Sequence, residues 1–529
     1  MLLTRTGYAV LALGLLTGPS TAETIWHVDS SAPGPGSGTP EDPFASIQYA
    51  ISRESTVDGD RLLVAPGVYL ETIDYLGKTL HVSSSSGPAL TVIDGNGAGS
   101  VVTVASGEGI GTVLEGFTIT GGSGKQIGGT LHGGGIYCVD SNPSVVGCWI
   151  LDNDMVYFGG GLPKGGGVYA ERAALVLAAS RIEGHDNGEG VFAASSVITV
   201  DGCTIRDNRN FGGLVIPTRA SGLTLVDCTT VIEESSIRNN GNDVFVIDQG
   251  GGVLVSGGTL DLVDCDVSEN LNEGRGGGLM LADCVTTITR CNFVGNRSTD
   301  YFYGGAIYVP IDAPSSLVVV DSTFVGNRAG DGGGAYIESG SACFERCLFL
   351  GNDVLSRYYE LGSGAAVFAA EGSLVTLSYC VLSANRSQGN IRFGFSGNGA
   401  VYGPACLSSC TVVDNVAEGH TTLPVGGAWG SRLVDCIVWG NYPRNLGGSA
   451  SADYCDVEGG WPGTGNLDAD PRFRDPGARD YRLLPSSPCI DAGDPASGAD
   501  PDGSRKDLGA FPFHRHLART GAVGALRHR

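Results

Sequence analysis

The chain reads as short bursts of apolar residues, punctuated by Gly, Asn and Asp. "SSLVVVDSTFVGN", residues 315–327, and "GGGAYIES", residues 332–339, are short runs rich in Val, Ile, Tyr and Phe, bounded by Gly and Asn. That is the composition of short strands bounded by turns. No segment of the region keeps the 3.6-residue period of a helix, so the expected elements are short strands. The punctuation is turn chemistry, because Gly and Asn accept the left-handed backbone of a sharp corner.

The bursts repeat. "CNFVGNRSTDYFYGGAIYV" at residues 291–309 returns 31 residues later as "STFVGNRAGDGGGAYI". The slot Cys-x-apolar-x-x-Asn holds Cys148, Cys203, Cys265, Cys291, Cys347, Cys380, Cys410 and Cys436, each with an Asn five residues on, from Asn153 to Asn441. Ser235 and Ser322 fill it in two further copies, and a degenerate copy sets Ser180 before His185. The 288 residues from Cys148 to Cys436 hold ten such intervals, about 29 residues each. A period of that size built from β-like runs predicts a solenoid, here a parallel β-helix in which each coil pairs with the next.

Two stretches stand outside the repeat. "EDPFASIQYAISRE" predicts one helix, with Asp42 as N-cap, Pro43 in the first turn and Phe44, Ile47 and Ile51 on one face. It is placed to cap the first coil, whose apolar core and strand edge are otherwise bare. The Pro- and Asp-rich stretch 456–513 is placed to cover the far end.

"GGAIYV" and "FVGN", at residues 304–309 and 324–327, resemble the GGAI and FxxN repeats of bacterial polymorphic outer membrane proteins. That resemblance implies a right-handed β-helix at or released from the cell surface. "FASIQYAI…DGDRLLVAPGVYLETI", residues 44–73, is similar to the opening of pectin-lyase-like β-helices. "FRDPGARDYRLLPSSPCIDAGDP…DPDGSRKDLGAFPF" resembles the closing segment of choice-of-anchor-type surface proteins. The expected fold is all-β: a single-stranded right-handed parallel β-helix of about 13–14 coils, of order 65 Å long at about 4.8 Å per coil. A short N-terminal capping helix and an irregular C-terminal cap close it. The expected organisation is 1–22 signal peptide, 23–61 N-terminal cap, 62–455 coils, 456–513 C-terminal cap and 514–529 disordered tail.

Composition narrows the function. A net charge of −24 over 529 residues leaves no basic stripe to neutralise phosphates, which argues against a nucleic-acid partner. Arg5, the apolar run from about Tyr8 to Leu16 and the small residues before Glu23 read as a signal peptide, giving a secreted or cell-surface location. No later run of about eighteen apolar residues predicts a membrane span once that segment is removed. The 15 cysteines would suggest disulfides in an exported chain, but eight occupy one repeated slot that also accepts Ser. Parallel neighbours in such a ladder are poorly placed for bridging, so mostly free, buried thiols are expected.

Three groups carry candidate chemistry. Loops between the Asn and the Gly run should stack on one flank and align Tyr157, Phe158, Phe211, Tyr301, Tyr303, Tyr358 and Tyr359 with Arg297, Arg328 and Arg386. Aromatic faces stack on sugar rings and Arg forks pair with carboxylate or sulfate, so an extracellular, acidic polysaccharide is the partner this pattern suits. The same residues could instead pack on one another and close the turns. Asp500, Asp502 and Asp507 in "DPDGSRKD" have the hard oxygens and Gly turn of a structural Ca²⁺ loop, or form a cap of Asx turns. His185, Asp186 and Glu189 crowd one turn, where His185 breaks the Asn slot. No catalytic residue is assigned and no cofactor is required. The leading expectation is a non-catalytic scaffold or adhesin with a glycan-binding flank. The alternative is a polysaccharide lyase or glycoside hydrolase of the pectin-lyase-like fold.

Overall fold

The structure, a computed structural model, describes residues 23–156, 161–210, 219–241, 250–299, 302–355, 362–389, 397–419 and 424–513. The coil around residues 304–331 shows why the repeat folds as it does. Ile307–Val309 lies against Ala335–Ile337 of the next coil, Ser316–Val320 against Ser341–Glu345, and Thr323–Val325 against Leu348–Leu350, all parallel and in register. Each strand pairs only with its equivalents above and below, so the strands form stacks. Stacks one and two merge into a 28-stranded sheet, stack three has 15 strands, and a six-stranded stack four runs from Leu271–Asn272 to Val416–Glu418.

Alternation decides what faces inward. In Ser316–Val320 the side chains of Leu317 and Val319 are buried, and in Thr323–Val325 that of Phe324 is. The corners between stacks sit in the left-handed region. Asp264, Arg290, Asp321, Arg346 and Asp435, each just before the Cys or Ser slot, have φ of 52°, 54°, 53°, 52° and 56°. A side chain in that region costs about 1–2 kcal/mol per residue, which Asp offsets best by local hydrogen bonding.

The slot residue explains why Cys and Ser interchange. Cys291 Sγ accepts the Cys265 N–H at 3.4 Å and faces the carbonyls of Thr289 at 3.3 Å and Leu262 at 3.4 Å. Ser322 does the same one coil on: its Oγ accepts the Cys291 N–H at 3.1 Å and donates to Val320 O at 2.9 Å. A small donor–acceptor is what the corner needs, and both residues supply it. The ladder reaches Cys455, whose Sγ accepts the Cys436 N–H at 3.4 Å. Spacing alone missed this rung because Gly460, not Asn, stands five residues beyond it.

All fifteen cysteines are free, thirteen of them buried. Burial pushes the Cys148 thiol up to about 12, so it stays protonated and inert. A thiol reagent is expected to find two groups in the native protein, Cys343 and Cys406, and all fifteen after denaturation. A native count well above two would contradict the packing.

The asparagines form a second ladder. Asn296 donates through N–H and Nδ2 to Asn327 Oδ1 at 3.0 and 3.1 Å, and through Nδ2 to Val267 O at 2.7 Å. The pattern runs unbroken from Asn208 to Asn441 through fully or almost fully buried side chains.

The capping helix differs from its sequence reading. It spans Ile47–Ser52 and its N-cap is Ser46, which accepts the Tyr49 N–H. Asp42 is not the cap, because its carbonyl turns back to accept the N–H groups of Ser37 and Gly38. Glu71, from the first coil, takes the N–H groups of Ile47 and Gln48 at 2.8 and 3.0 Å, which a local motif does not reveal. The helix buries Ile47, Ala50 and Ile51 over the end of the core. No helix among the described residues is long and apolar enough to cross a membrane.

Candidate functional site

The middle residue of each stack-one strand points outward, and several of these residues are aromatic. Tyr137, Tyr169 and Phe192 stand in register on successive coils, with ring centroids 5.7 and 5.4 Å apart and planes within 4°. Their faces are used on one another and all three rings are buried, so no open ring face is presented. Cations cover the ends: Lys125 Nζ lies 4.6 Å from the Tyr137 centroid and Lys164 Nζ 4.9 Å from that of Phe192.

Each cation is placed by backbone. Lys125 comes from an antiparallel hairpin, Lys125–Ile127 with Thr130–His132, inserted between coils. Lys164 precedes the glycines 165–167, and its N–H donates to Leu131 O at 2.9 Å, which ties it to that hairpin. Arg219 is fixed by Pro163 O at 2.7 Å and by Glu189, whose Oε1 lies 3.5 Å from its Nε. Glu189 is fully buried, and its Oε2 accepts the Gly165 N–H at 2.9 Å. Arg219 and Glu189 therefore neutralise each other, whereas Lys125 and Lys164 pair with no carboxylate among the described residues.

Burial, and then the charge of Arg219, holds the Lys164 ammonium below the ordinary lysine range. His132 stands edge-on to Tyr169 at 4.7 Å, and burial followed by Lys164 lowers its pKa as well. Its Nδ1 lies 3.1 Å from Thr130 O, a contact that an N–H at Nδ1 makes. Two ammonium groups, a neutral imidazole, the buried phenol rings and the Glu171 carboxylate, which accepts the Tyr169 hydroxyl at 2.8 Å, share one face.

The sequence-expected flank is built in part. Leu271, Arg297, Arg328, Asp353, Arg386 and Val416 form one register column of stack four. Arg386 makes a two-pronged bond to Glu418, at 3.2 and 2.8 Å, and Arg328 Nε lies 3.9 Å from Asp353 Oδ2. These guanidinium groups spend charge on the neighbouring coil. Tyr303 stacks on Tyr336 at 4.5 Å with Arg275 5.5 Å above its ring. Tyr157, Phe158, Phe211, Tyr301, Tyr358 and Tyr359 lie outside the described residues, as do 1–22 and 514–529.

His185 takes the Asn rung. Its Nδ1 accepts the Asn153 N–H at 3.1 Å, and its own N–H donates to Asn208 Oδ1 at 3.4 Å. Its ring fits because position 167 is glycine, where a Cβ would come within 2.8 Å of Nε2. Burial lowers its pKa to about 4, below the unfolded value near 6.5. The neutral imidazole thus contributes stability that is full above about pH 6.5 and is lost as pH falls toward 4, by up to about 3 kcal/mol. His185→Asn, which restores the ladder, is expected to flatten that acid-side loss in thermal melts between pH 4 and 7. An unchanged slope would contradict it.

In the C-terminal cap, Asp507 accepts the N–H groups of Asp491 at 2.7 Å and Phe513 at 2.6 Å, while Asp500 accepts the Asp507 N–H at 2.8 Å. Asp502 turns to Ser504. Burial raises Asp507 to about 6. Among the described residues no group of three His, Cys, Asp or Glu is arranged to hold a metal ion.

A family model described as "Right handed beta helix region" matches residues 180–354 and 251–432. The chain is a right-handed parallel β-helix. Among solved structures it is similar to pectate lyase Pel9A, at 13% identity over 94% of this chain and 98% of that one, TM-score 0.32. A rhamnogalacturonan lyase gives 12% identity over 94% and 98%, TM-score 0.22. The GH136 lacto-N-biosidase from Eubacterium ramulus gives 10% over 66% and 67%, TM-score 0.28. These likenesses concern fold alone. No curated protein matches the sequence.

Proposed function

We propose that this protein is an exported, non-catalytic β-helix scaffold, at the cell surface or released from it, that binds acidic polysaccharide at the Lys125–Lys164 cluster. The observation that carries the reading is the contrast between cations. Arg386, Arg328 and Arg219 each lie within ion-pair distance of a carboxylate. Lys125 and Lys164 are held over aromatic rings with no carboxylate of the described residues at that distance, Glu189 and Glu171 acting on Lys164 from further off. A chain of net charge −24 repels a polyanion at long range, so a partner of that kind must be captured by a local positive patch. The signal-like first 22 residues and the surface-protein resemblances of the repeats and closing segment support export.

One observation favours a second reading. A desolvated lysine beside an arginine is shifted toward the free amine, which a lyase needs to take the proton next to a uronate carboxylate. The two readings separate in one assay. The protein is incubated with polygalacturonate and with a neutral glucan, and both protein depletion and new unsaturated chain ends are followed. Depletion on the polyuronate without new ends supports the scaffold. New ends that vanish in Lys164→Ala make it a lyase.

A further inference from the structure

Stack two presents an outward column that reads Val318, Cys343, Thr376, Cys406, Arg432 from coil to coil. It contains the two cysteines that are not buried: Cys343 is partly exposed and Cys406 exposed. Both have a role apart from the Cys ladder, since their side chains point out of the coil. They straddle Thr376 symmetrically, one rung on either side, at about 4.8 Å per rung. On the strand that carries Thr376, Leu374 is 72% exposed. Leu374 also walls a shallow groove of about 570 Å³ with Val285, Ser316 and Ser341.

We propose that this face pairs two copies of the chain about a two-fold axis lying along the strand Leu374–Ser378, with Cys343 of each copy opposite Cys406 of the other. Such an axis reverses the direction of the solenoid and keeps the strand direction. It therefore exchanges the rungs above and below Thr376, and brings two thiol pairs together at once. It also sets each exposed Leu374 against the second copy's Leu374, and removes both from water. The contact is isologous, the self-complementary kind that closes as a dimer. Within the strands, charged residues fall opposite neutral ones: Glu345 opposite Ser408 and Arg432 opposite Val318. Ser341, Thr376, Ser378 and Ser408 around the thiols are small, which lets the faces approach to the Cα separation of about 4.4–6.8 Å that a disulfide spans. The alternative axis, along the solenoid, sets Leu374 against Ser378 and leaves the apolar side chain unmatched.

The covalent step uses a small disulfide such as oxidised glutathione as oxidant. The Cys406 thiolate attacks one glutathione sulfur, forming a mixed disulfide and releasing one glutathione thiolate. The second copy's Cys343 thiolate then displaces the other glutathione. Each bridge gives up two electrons and two protons from the protein, and two glutathione thiols form.

The test is oxidation of the purified full chain with oxidised glutathione, followed by mass measurement without reductant and peptide mapping of the linkages. The expected result is a doubled mass containing Cys343–Cys406 links between copies. Cys343→Ser alone, or Cys406→Ser alone, is expected to abolish the covalent dimer, because every link needs one of each. Leu374→Asp, which keeps both thiols, is expected to slow linking several-fold. A chain that stays at monomer mass overturns the proposal. So do Cys343–Cys343 and Cys406–Cys406 links that survive in the single variants.

Discussion

Asn327→Leu is expected to destabilise the solenoid by about 3 kcal/mol or more, although it adds apolar volume to the interior. Asn327 Oδ1 accepts two bonds from Asn296, and its Nδ2 donates to Phe293 O at 2.9 Å and to Asn352 Oδ1 at 3.0 Å. Leucine leaves the buried Asn296 N–H without its acceptor and strips the side-chain bonds to Phe293 O and Asn352 Oδ1. Asn296 Nδ2 keeps Val267 O, and Asn352 Oδ1 keeps the residue-327 N–H. A buried group left unmatched costs about 1–3 kcal/mol. Because a coil touches only its neighbours, the loss should open the middle of the rod while its ends stay folded. Hydrogen exchange checks this: amides near residues 290–355 should lose protection in the variant while those near residues 60–120 keep it. Uniform loss along the chain would mean that the rod unfolds as one unit.

Phe324→Ala is expected to cost about 4 kcal/mol, within the range for deleting a buried aromatic side chain. Phe324 is fully buried and stacked between Phe293 at 4.9 Å and Phe349 at 4.6 Å, with planes within 5° and 7°. Alanine loses both stacking partners and leaves a void that neighbouring coils, pinned by strand pairing, cannot close. Leu374→Ala, on the 72% exposed side chain of stack two, is expected to stay within about 0.5 kcal/mol. Chemical denaturation of the two variants against the parent separates these values; similar costs for both would contradict the assignment of inside and outside.

The architecture was legible because each coil repeats the same local bargain between sequence and geometry. The Val-rich run in "SLVVV" marked a strand, whose pleat buries Leu317 and Val319. The Cys-or-Ser slot marked a buried small residue, which lies at a corner whose hydrogen bonds either residue makes. The cation–ring cluster was not legible. Lys125 arrives on a hairpin that interrupts the period, and Lys164 meets Phe192 only once parallel pairing sets their coils together. One signal was present: the central residue of the strand after the Gly run is Tyr137, Tyr169 and Phe192 in turn, an aromatic column at outward positions. Arg297, Arg328 and Arg386 fall in one register column of stack four. Their carboxylate partners, Asp353 and Glu418, lie one coil away and are not visible from loop composition. The helix start was misplaced for a similar reason, since Ser46 and Glu71 cooperate across 25 residues.

The most direct measurement is the affinity of the purified protein for a galacturonate oligomer, taken by titration calorimetry for the parent, Lys125→Ala/Lys164→Ala and Arg386→Ala. Binding that weakens with salt, falls at least tenfold in the double lysine variant and is unchanged in the arginine variant is the expected result. Equal affinity in the parent and the double lysine variant, or loss on removing Arg386 instead, would contradict the assignment of the site.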